Sequence, residues 1–390
     1  MNSNQLRIAV ALLIGMLGTA ALAEDGVSSN KIIFGQVAAL TGPAQDLGQG
    51  MRRGILAAFD EANRRGGVSG RMLELKSLDD GYEPEKTVVA TKEIIDDGKI
   101  FAMVGAVGTP TSKAGQPIAT DAKVPFIGPF TGAEFLRNPY NRYVVNVRAS
   151  YFEETEAWIE HLTKDLGISK IAILYQDDAF GLAGLEGVQR ALTKRNMSLI
   201  ASGSFKRNTT AVKSALLDIM KDNPEAVVTV GPYKPVAEFI KLAHQVKFNP
   251  VFVAISFVGS DSLAKELGND GAGVVISQVV PFPWDASLPV VASYQKALTA
   301  DDSAAKPGFV SLEGYLVGRF VIEALKRVDG EPTREKLLNA IYGAPFDLDG
   351  ITLSYGPAKN QGSDQVFFTI LQGDGSFKPV VRLIKMAAGR

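Results

Sequence analysis

The chain has 390 residues, a net charge of −1, 46% hydrophobic residues and 21% charged residues, which suits a globular protein long enough for two domains. So balanced a charge leaves no basic footprint for nucleic acid or an anionic membrane surface. Cysteine is absent, which removes disulfides, thiolate metal sites and cysteine nucleophiles together, and two histidines, His161 and His244, are too few for a histidine-rich metal centre.

Residues 1–23 read as an export signal. Arg7 supplies the positive charge, residues 8–20 the apolar core, and Ala21-Leu22-Ala23 a small-x-small cleavage site that makes Glu24 the expected mature start. No later stretch approaches the roughly 18 uninterrupted apolar residues of a membrane span. The expected location is the periplasm.

Residues 31–40 (KIIFGQVAAL) form the first expected strand, followed by the turn Thr41-Gly42-Pro43. A helix is expected over 51–65, where Ile55, Leu56, Phe59 and Ala62 recur at helical spacing. Then come a strand over 71–79 and a helix over 85–97. The runs IFAMVG (100–105) and VPFIGP (124–129) are short, continuously apolar and bounded by Gly and Pro, as in a parallel sheet covered on both faces. A turn holding Gly108, Thr109, Pro110 and Thr111 follows the first run, and Phe130-Thr131-Gly132-Ala133 follows the second.

A second set repeats the pattern. Helices are expected over 151–166, 182–195, 211–221 and 236–246, and strands over 170–175, 198–205, 226–231, 250–255 and 274–280. The tail adds helices over 289–298, 308–327 and 334–340, then strands over 350–354 and 365–371. Alternating β and α elements imply an α/β chain of two Rossmann-like lobes with parallel central sheets.

The chemistry-bearing patterns are mostly negative. Residues 105–115 (GAVGTPTSKAG) lack the Gly-Lys-Ser/Thr order of a phosphate loop. The pairs Asp79-Asp80 and Asp177-Asp178 read as capping residues rather than a calcium loop. A hydrolase triad would need His161 or His244, both inside predicted helices, and no Gly-x-Ser-x-Gly elbow occurs. No catalytic residue, cofactor or metal is expected. What remains is recognition. Thr109, Thr111 and Thr131 follow strand ends, where hydroxyls and free N–H groups can hold a carboxylate. Phe180, Tyr233 and Phe257 fall in turns after strands of the second set, and a hydroxyl wall facing an aromatic wall suits a small-molecule cleft.

Several motifs occur in order: Leu40-Thr41-Gly42-Pro43, NRRGGVSG (63–70), Asp79-Asp80, TPTS (109–112), PFIGP (125–129) and YQDDAFG (175–181). With them, from about Lys31 to about Leu371, the chain resembles the leucine/isoleucine/valine-binding protein family of periplasmic solute receptors for ABC transporters. The resemblance implies two lobes joined by three crossovers, a Venus-flytrap, with residues 24–147 plus 280–356 in the first lobe and 148–279 plus 357–390 in the second. It implies that the Thr109 hydroxyl grips the ligand carboxylate, helped by hydroxyl and backbone groups of Phe130, Thr131 and Gly132. Phe180 and Tyr233 match aromatic positions of the second lobe. Leu47 matches an aromatic lid position, so that ring is missing. The acid that pairs with an amino acid's ammonium falls near Ser256, and the family's cysteine pair falls near Tyr82 and Gly108; both are absent.

An ammonium buried without a carboxylate is costly. Either Glu313 takes that role or the ligand is not an α-amino acid; the plainer role for Glu313, early in a helix, is to stabilise the helix dipole. The expected partners are a small carboxylate or amino acid and an ABC-transporter permease, with no nucleic acid and a monomeric chain. The alternatives are an extracytoplasmic sensor for a signalling receptor and an amidase-like hydrolase on the same scaffold.

Overall fold

A computed structural model describes residues 24–97 and 99–384. The export signal expected over residues 1–23 lies outside the described residues, as does the end of the chain from 385 on.

The first part of the chain alternates β1 (Lys31–Ala38), α1 (Gln45–Asn63), β2 (Met72–Asp79), α2 (Pro84–Asp96), β3 (Ala102–Val104), α3 (Thr109–Asp121), β4 (Phe126–Ile127) and β5 (Val144–Val145). These strands make an all-parallel sheet in the order β2-β1-β3-β4-β5. All but the edge strand β2 are largely buried, Phe34 of β1 and Ile127 of β4 among them, because helices cover both sides.

The chain then enters a second sheet through α4 (Tyr151–Lys164), β6 (Ile171–Gln176), α5 (Ala179–Thr193), β7 (Ala201–Phe205), α6 (Lys213–Met220), β8 (Ala226–Val230), α7 (Tyr233–Gln245), β9 (Val251–Ala254), α8 (Ser260–Leu267) and β10 (Val275–Gln278). It returns to the first half as α9 (Pro289–Asp301), α10 (Phe309–Lys326), α11 (Arg334–Gly343) and the short pair β11 (Phe346–Asp347) and β12 (Thr352–Leu353). Both α9 and α10 pack on α1. A last passage delivers β13 (Phe367–Leu371) and β14 (Phe377–Val380) to the second sheet, whose order is β14-β13-β10-β9-β8-β6-β7. The connections β5–α4, β10–α9 and β12–β13 are the three crossovers. The first and third touch, since Asn146 N donates to Asn360 O and Gly362 N donates to Asn146 O.

Most expected elements form, with differences that matter. The parallel rule fails at one edge: β13 runs antiparallel to β10, and β14 antiparallel to β13, the latter because a tight turn at Gly375 (φ +82°) joins the two and a short connection cannot join parallel neighbours. Three helices begin earlier than expected, α1 at Gln45, α5 at Ala179 and α7 at Tyr233. Asp178 starts α5 by accepting Phe180 N at 2.9 Å, the N-cap role its position suggests. Phe180, Tyr233 and Thr109 therefore sit in the first turns of helices rather than in turns ahead of them. β5, α8, β11 and β14 form where no element was expected from the sequence.

Candidate functional site

The ends of β3 and β4 in the first sheet face the ends of β6, β8 and β9 in the second, and the residues singled out above collect between them. Thr109 opens α3 and Thr131 follows β4; their hydroxyl oxygens lie 2.6 Å apart and both residues are fully buried. Thr111 is spent elsewhere, its hydroxyl donating to Val107 O at 2.5 Å. Phe130 N donates to Ala106 O and Thr131 N to Pro129 O, so Phe130 offers its ring rather than its amide.

Gly132 explains why a residue absent from the sequence reading belongs here. Its carbonyl accepts Tyr151 N at 2.7 Å, and a Cβ on Gly132 would lie 2.6 Å from the Tyr151 ring. Only glycine lets the start of α4 come so close. Tyr151 Oη is thereby buried within reach of the Thr109 and Thr131 hydroxyls, yet has no partner in hydrogen-bonding geometry. Burial pushes its hydroxyl above the usual tyrosine range, the more so because Arg148 and the two threonines only partly offset it.

Aromatic rings close the space. Phe257, in a short 3-10 turn after β9, packs on Phe130 (5.1 Å between centroids), Phe180 (4.6 Å) and Tyr82 (6.0 Å), and Tyr151 packs on Phe180 (5.6 Å). Phe130 and Tyr82 come from the first half, Phe180 and Phe257 from the second. At Gly108 (φ +104°) a Cβ would lie 2.3 Å from the Tyr82 ring. The two positions where the resembled family has its cysteine pair are thus in contact, joined by a ring instead of a bridge.

Leu47 and Tyr233 form a separate pair. Both are buried and meet at Gly259, with Leu47 from α1 and Tyr233 from α7. Burial, reinforced by the charge of Asp46, pushes the Tyr233 hydroxyl up to about 12. Beside them a groove of about 1170 Å³ opens to solvent between α1 and α8, lined by Asp46, Arg53, Asp261, Trp284 and Phe377 among others. Its lining includes none of the threonines or packed rings described above.

Ser256 and Glu313 belong to a buried ionic cluster the sequence did not reveal. Arg148, at the first crossover, donates from Nη2 to Glu154 Oε1 at 2.9 Å and to Ser256 Oγ, and its Nη1 lies 3.5 Å from Glu313 Oε1. Glu154 also accepts from Ser256 N (3.0 Å), Ser256 Oγ (2.8 Å) and Ser277 Oγ (2.5 Å). The guanidinium lies 5.3 Å from the Phe130 ring centroid and 5.8 Å from that of Tyr151, so the cluster backs directly onto the site. Glu313 is buried in this ionic pair rather than exposed at a helix end. Burial, only partly offset by Arg148, raises its carboxyl to about 7. Arg148 carried one available signal: a charge in the mostly apolar run YVVNVRA (143–149) that leads into α4.

Contacts between the halves ring the site. Arg207 after β7 binds Glu83 ahead of α2 at 2.8 Å and Asp178 at 3.0 Å, Asn208 donates to Glu83 at 2.7 Å, and Ser262 donates to Asp46 at 2.7 Å. The histidines stay outside: each sits in a helix and faces an aspartate, His161 with Asp165 and His244 with Asp270. Among the described residues no group of three or more His, Cys, Asp or Glu side chains could hold a metal ion, and no helix is long and apolar enough to cross a membrane.

Comparison with known proteins agrees with this architecture. Residues 31–376 match the periplasmic binding protein family, whose members are exported to the periplasm. The Leu/Ile/Val-binding protein of Escherichia coli (strain K12) is 22% identical over 302 residues, covering 76% of this chain and 80% of that protein. The crystal structure of a possible leucine/isoleucine/valine-binding protein from Rhodopirellula baltica SH 1 superposes with a TM-score of 0.86 at 39% identity, covering 93% of this chain and 98% of that one. A branched chain amino acid ABC transporter protein from Thermus thermophilus with bound valine shares the fold at 20% identity, with a TM-score of 0.82 and coverage of 91% and 97%. These relatives are solute-binding proteins rather than enzymes, which disposes of the hydrolase alternative. With two α/β halves, three crossovers and a walled cleft between them, the chain belongs to the periplasmic binding protein family, in its leucine/isoleucine/valine-binding branch.

Proposed function

We propose that the protein is the solute receptor of an ABC importer: it captures a small carboxylate between its two lobes and presents the closed form to the membrane permease. The lobes would be residues 24–147 with 280–356, and 148–279 with 357–390, the mature chain beginning at Glu24 and acting as a monomer. Thr109 and Thr131 hold the carboxylate, Phe130, Phe180 and Phe257 enclose the apolar part, and Leu47 with Tyr233 guards the mouth. The observation that carries this reading is the interlocking of Phe257 with Phe130 and Tyr82 beside the paired threonine hydroxyls. A ligand touching both halves at once favours the closed form over the open one, which is what a capture device needs.

A thermal-shift screen of amino acids, aromatic acids and aliphatic acids on the purified mature protein tests the proposal, because a ligand bound only by the native state raises the melting temperature by mass action. The expected result is a shift with a carboxylate, followed by one-to-one calorimetric binding without product. Turnover of the ligand, or no shift with any acid, overturns it.

A further inference from the structure

Resting on the reading of the cleft as a carboxylate receptor, we infer that its ligand carries no α-ammonium group, being an aromatic or branched aliphatic acid, and that Tyr151 Oη is a third hydroxyl gripping its carboxylate. Three observations support this.

First, among the described residues no buried carboxylate stands free beside Thr109, Thr131 and Tyr151. The buried acids among the described residues are Asp80, Glu154 and Glu313. Asp80 accepts from Tyr82 N and Thr87 Oγ1, each at 2.9 Å. Both oxygens of Glu154 are taken by Arg148, Ser256 and Ser277. Glu313 faces Arg148 and lines a small cavity of about 20 Å³ with Val147, Val279, Val280 and Pro281 of the crossovers, a cavity that includes none of Thr109, Thr131 or Tyr151. Where an amino-acid site needs an anion, Ser256 is instead bound to a glutamate that an arginine already occupies.

Second, the part of the ionic cluster that lies against the rings of the site is the guanidinium. The Arg148 guanidinium lies over the Phe130 and Tyr151 rings, and its Nε, fully buried, has no partner. With Glu154 already paired to this guanidinium, the cluster offers an ammonium no anion to bind, and a buried ammonium without one is costly. Third, Tyr151 Oη is a buried donor without a partner, held beside Thr109 and Thr131 by the bond from Tyr151 N to Gly132 O. Buried hydroxyls are nearly always satisfied, and a carboxylate oxygen placed among these hydroxyls would satisfy this one.

Calorimetry on the mature protein with two matched pairs, L-phenylalanine against 3-phenylpropanoate and L-leucine against 4-methylpentanoate, tests the inference. At least tenfold tighter binding of the amine-free member of a pair is expected. Tighter binding of the amino acids overturns the inference and leaves the receptor reading intact, whereas binding of none of the four removes the carboxylate reading beneath it. Tyr151→Phe separates gripping from packing. The variant should bind the preferred acid about tenfold more weakly while its ligand-free melting temperature does not fall, since the lost oxygen bonds to nothing in the ligand-free protein. Unchanged affinity removes Tyr151 from the site.

Discussion

The Phe257 ring lies 5.1 Å from the Phe130 ring, 33° from parallel, although the two residues sit on different sheets and 127 positions apart in the chain. This contact exists only while the halves are together, so it belongs to the closed state rather than to the folding of either half. Because Phe257 also packs on Phe180 of its own half, Phe257→Ala should lower the melting temperature of the ligand-free protein modestly while weakening ligand binding by about 1–3 kcal/mol, the order of magnitude for an enclosed phenyl ring. Calorimetry beside a thermal melt checks this. A large fall in melting temperature with affinity preserved would assign Phe257 to the core of its own half.

Thr109 and Thr131 share a hydrogen bond in the ligand-free protein, and a bound carboxylate would have to compete for their hydroxyls. Thr109→Ala should cost roughly 1–3 kcal/mol of affinity by leaving part of the anion unpaired. Thr109→Ser, which keeps the hydroxyl, should lose much less. If the serine variant binds as poorly as the alanine variant, the methyl group rather than the hydroxyl is what the site uses.

The sequence showed the strand ends and their hydroxyls because those depend on local rules. Apolar runs stop at glycines such as Gly105 and Gly128, and Thr109 and Thr131 follow within a few residues. It could not show the ionic cluster, because Arg148, Ser256 and Glu313 are brought together by the crossovers across more than a hundred residues. Tyr151 looked like nothing more than the start of a helix, since its depth in the site follows from the close approach at Gly132. The strands β5 and β11 have two residues each, too few for any period, and are defined by their partners. The eight-residue helix α8 is similarly too short for a helical repeat to stand out.

Arg207 joins the two halves, binding Glu83 of one and Asp178 of the other. Burial alone would push the Glu83 carboxyl up, but the hydrogen bonds from Arg207 and Asn208 more than reverse this and hold it below the ordinary carboxylate range. The contact therefore favours the closed form above that range and fades as pH falls through the lowered value. Both side chains are partly exposed, so its contribution is modest, ~1 kcal/mol or less. Glu83→Gln should raise the ligand off-rate a few-fold in stopped-flow measurements at low salt, and the difference should shrink as ionic strength rises. A difference that persists in high salt would mean that the glutamate acts by shape rather than charge.

Glu313 gives the chain a pH dependence of opposite sign. Its carboxyl is raised by burial to about 7, with Arg148 and Arg137 lowering it and Glu154 raising it. Between the ordinary carboxylate value near 4.5 and 7 the folded protein holds a proton that the unfolded chain has released, so the contribution of Glu313 to stability falls as pH rises through that window. The full loss is on the order of 3 kcal/mol at most. Asp80 and Asp261, each raised to about 6 chiefly by burial, act in the same direction. Glu313→Gln removes one titrating group while keeping its shape, so urea denaturation at pH 5 and pH 8 should show a smaller drop for the variant than for the native chain. Equal drops would mean that Arg148 holds Glu313 ionised throughout, and the amine-free ligand would then rest on the engaged oxygens of Glu154 and on Tyr151 alone.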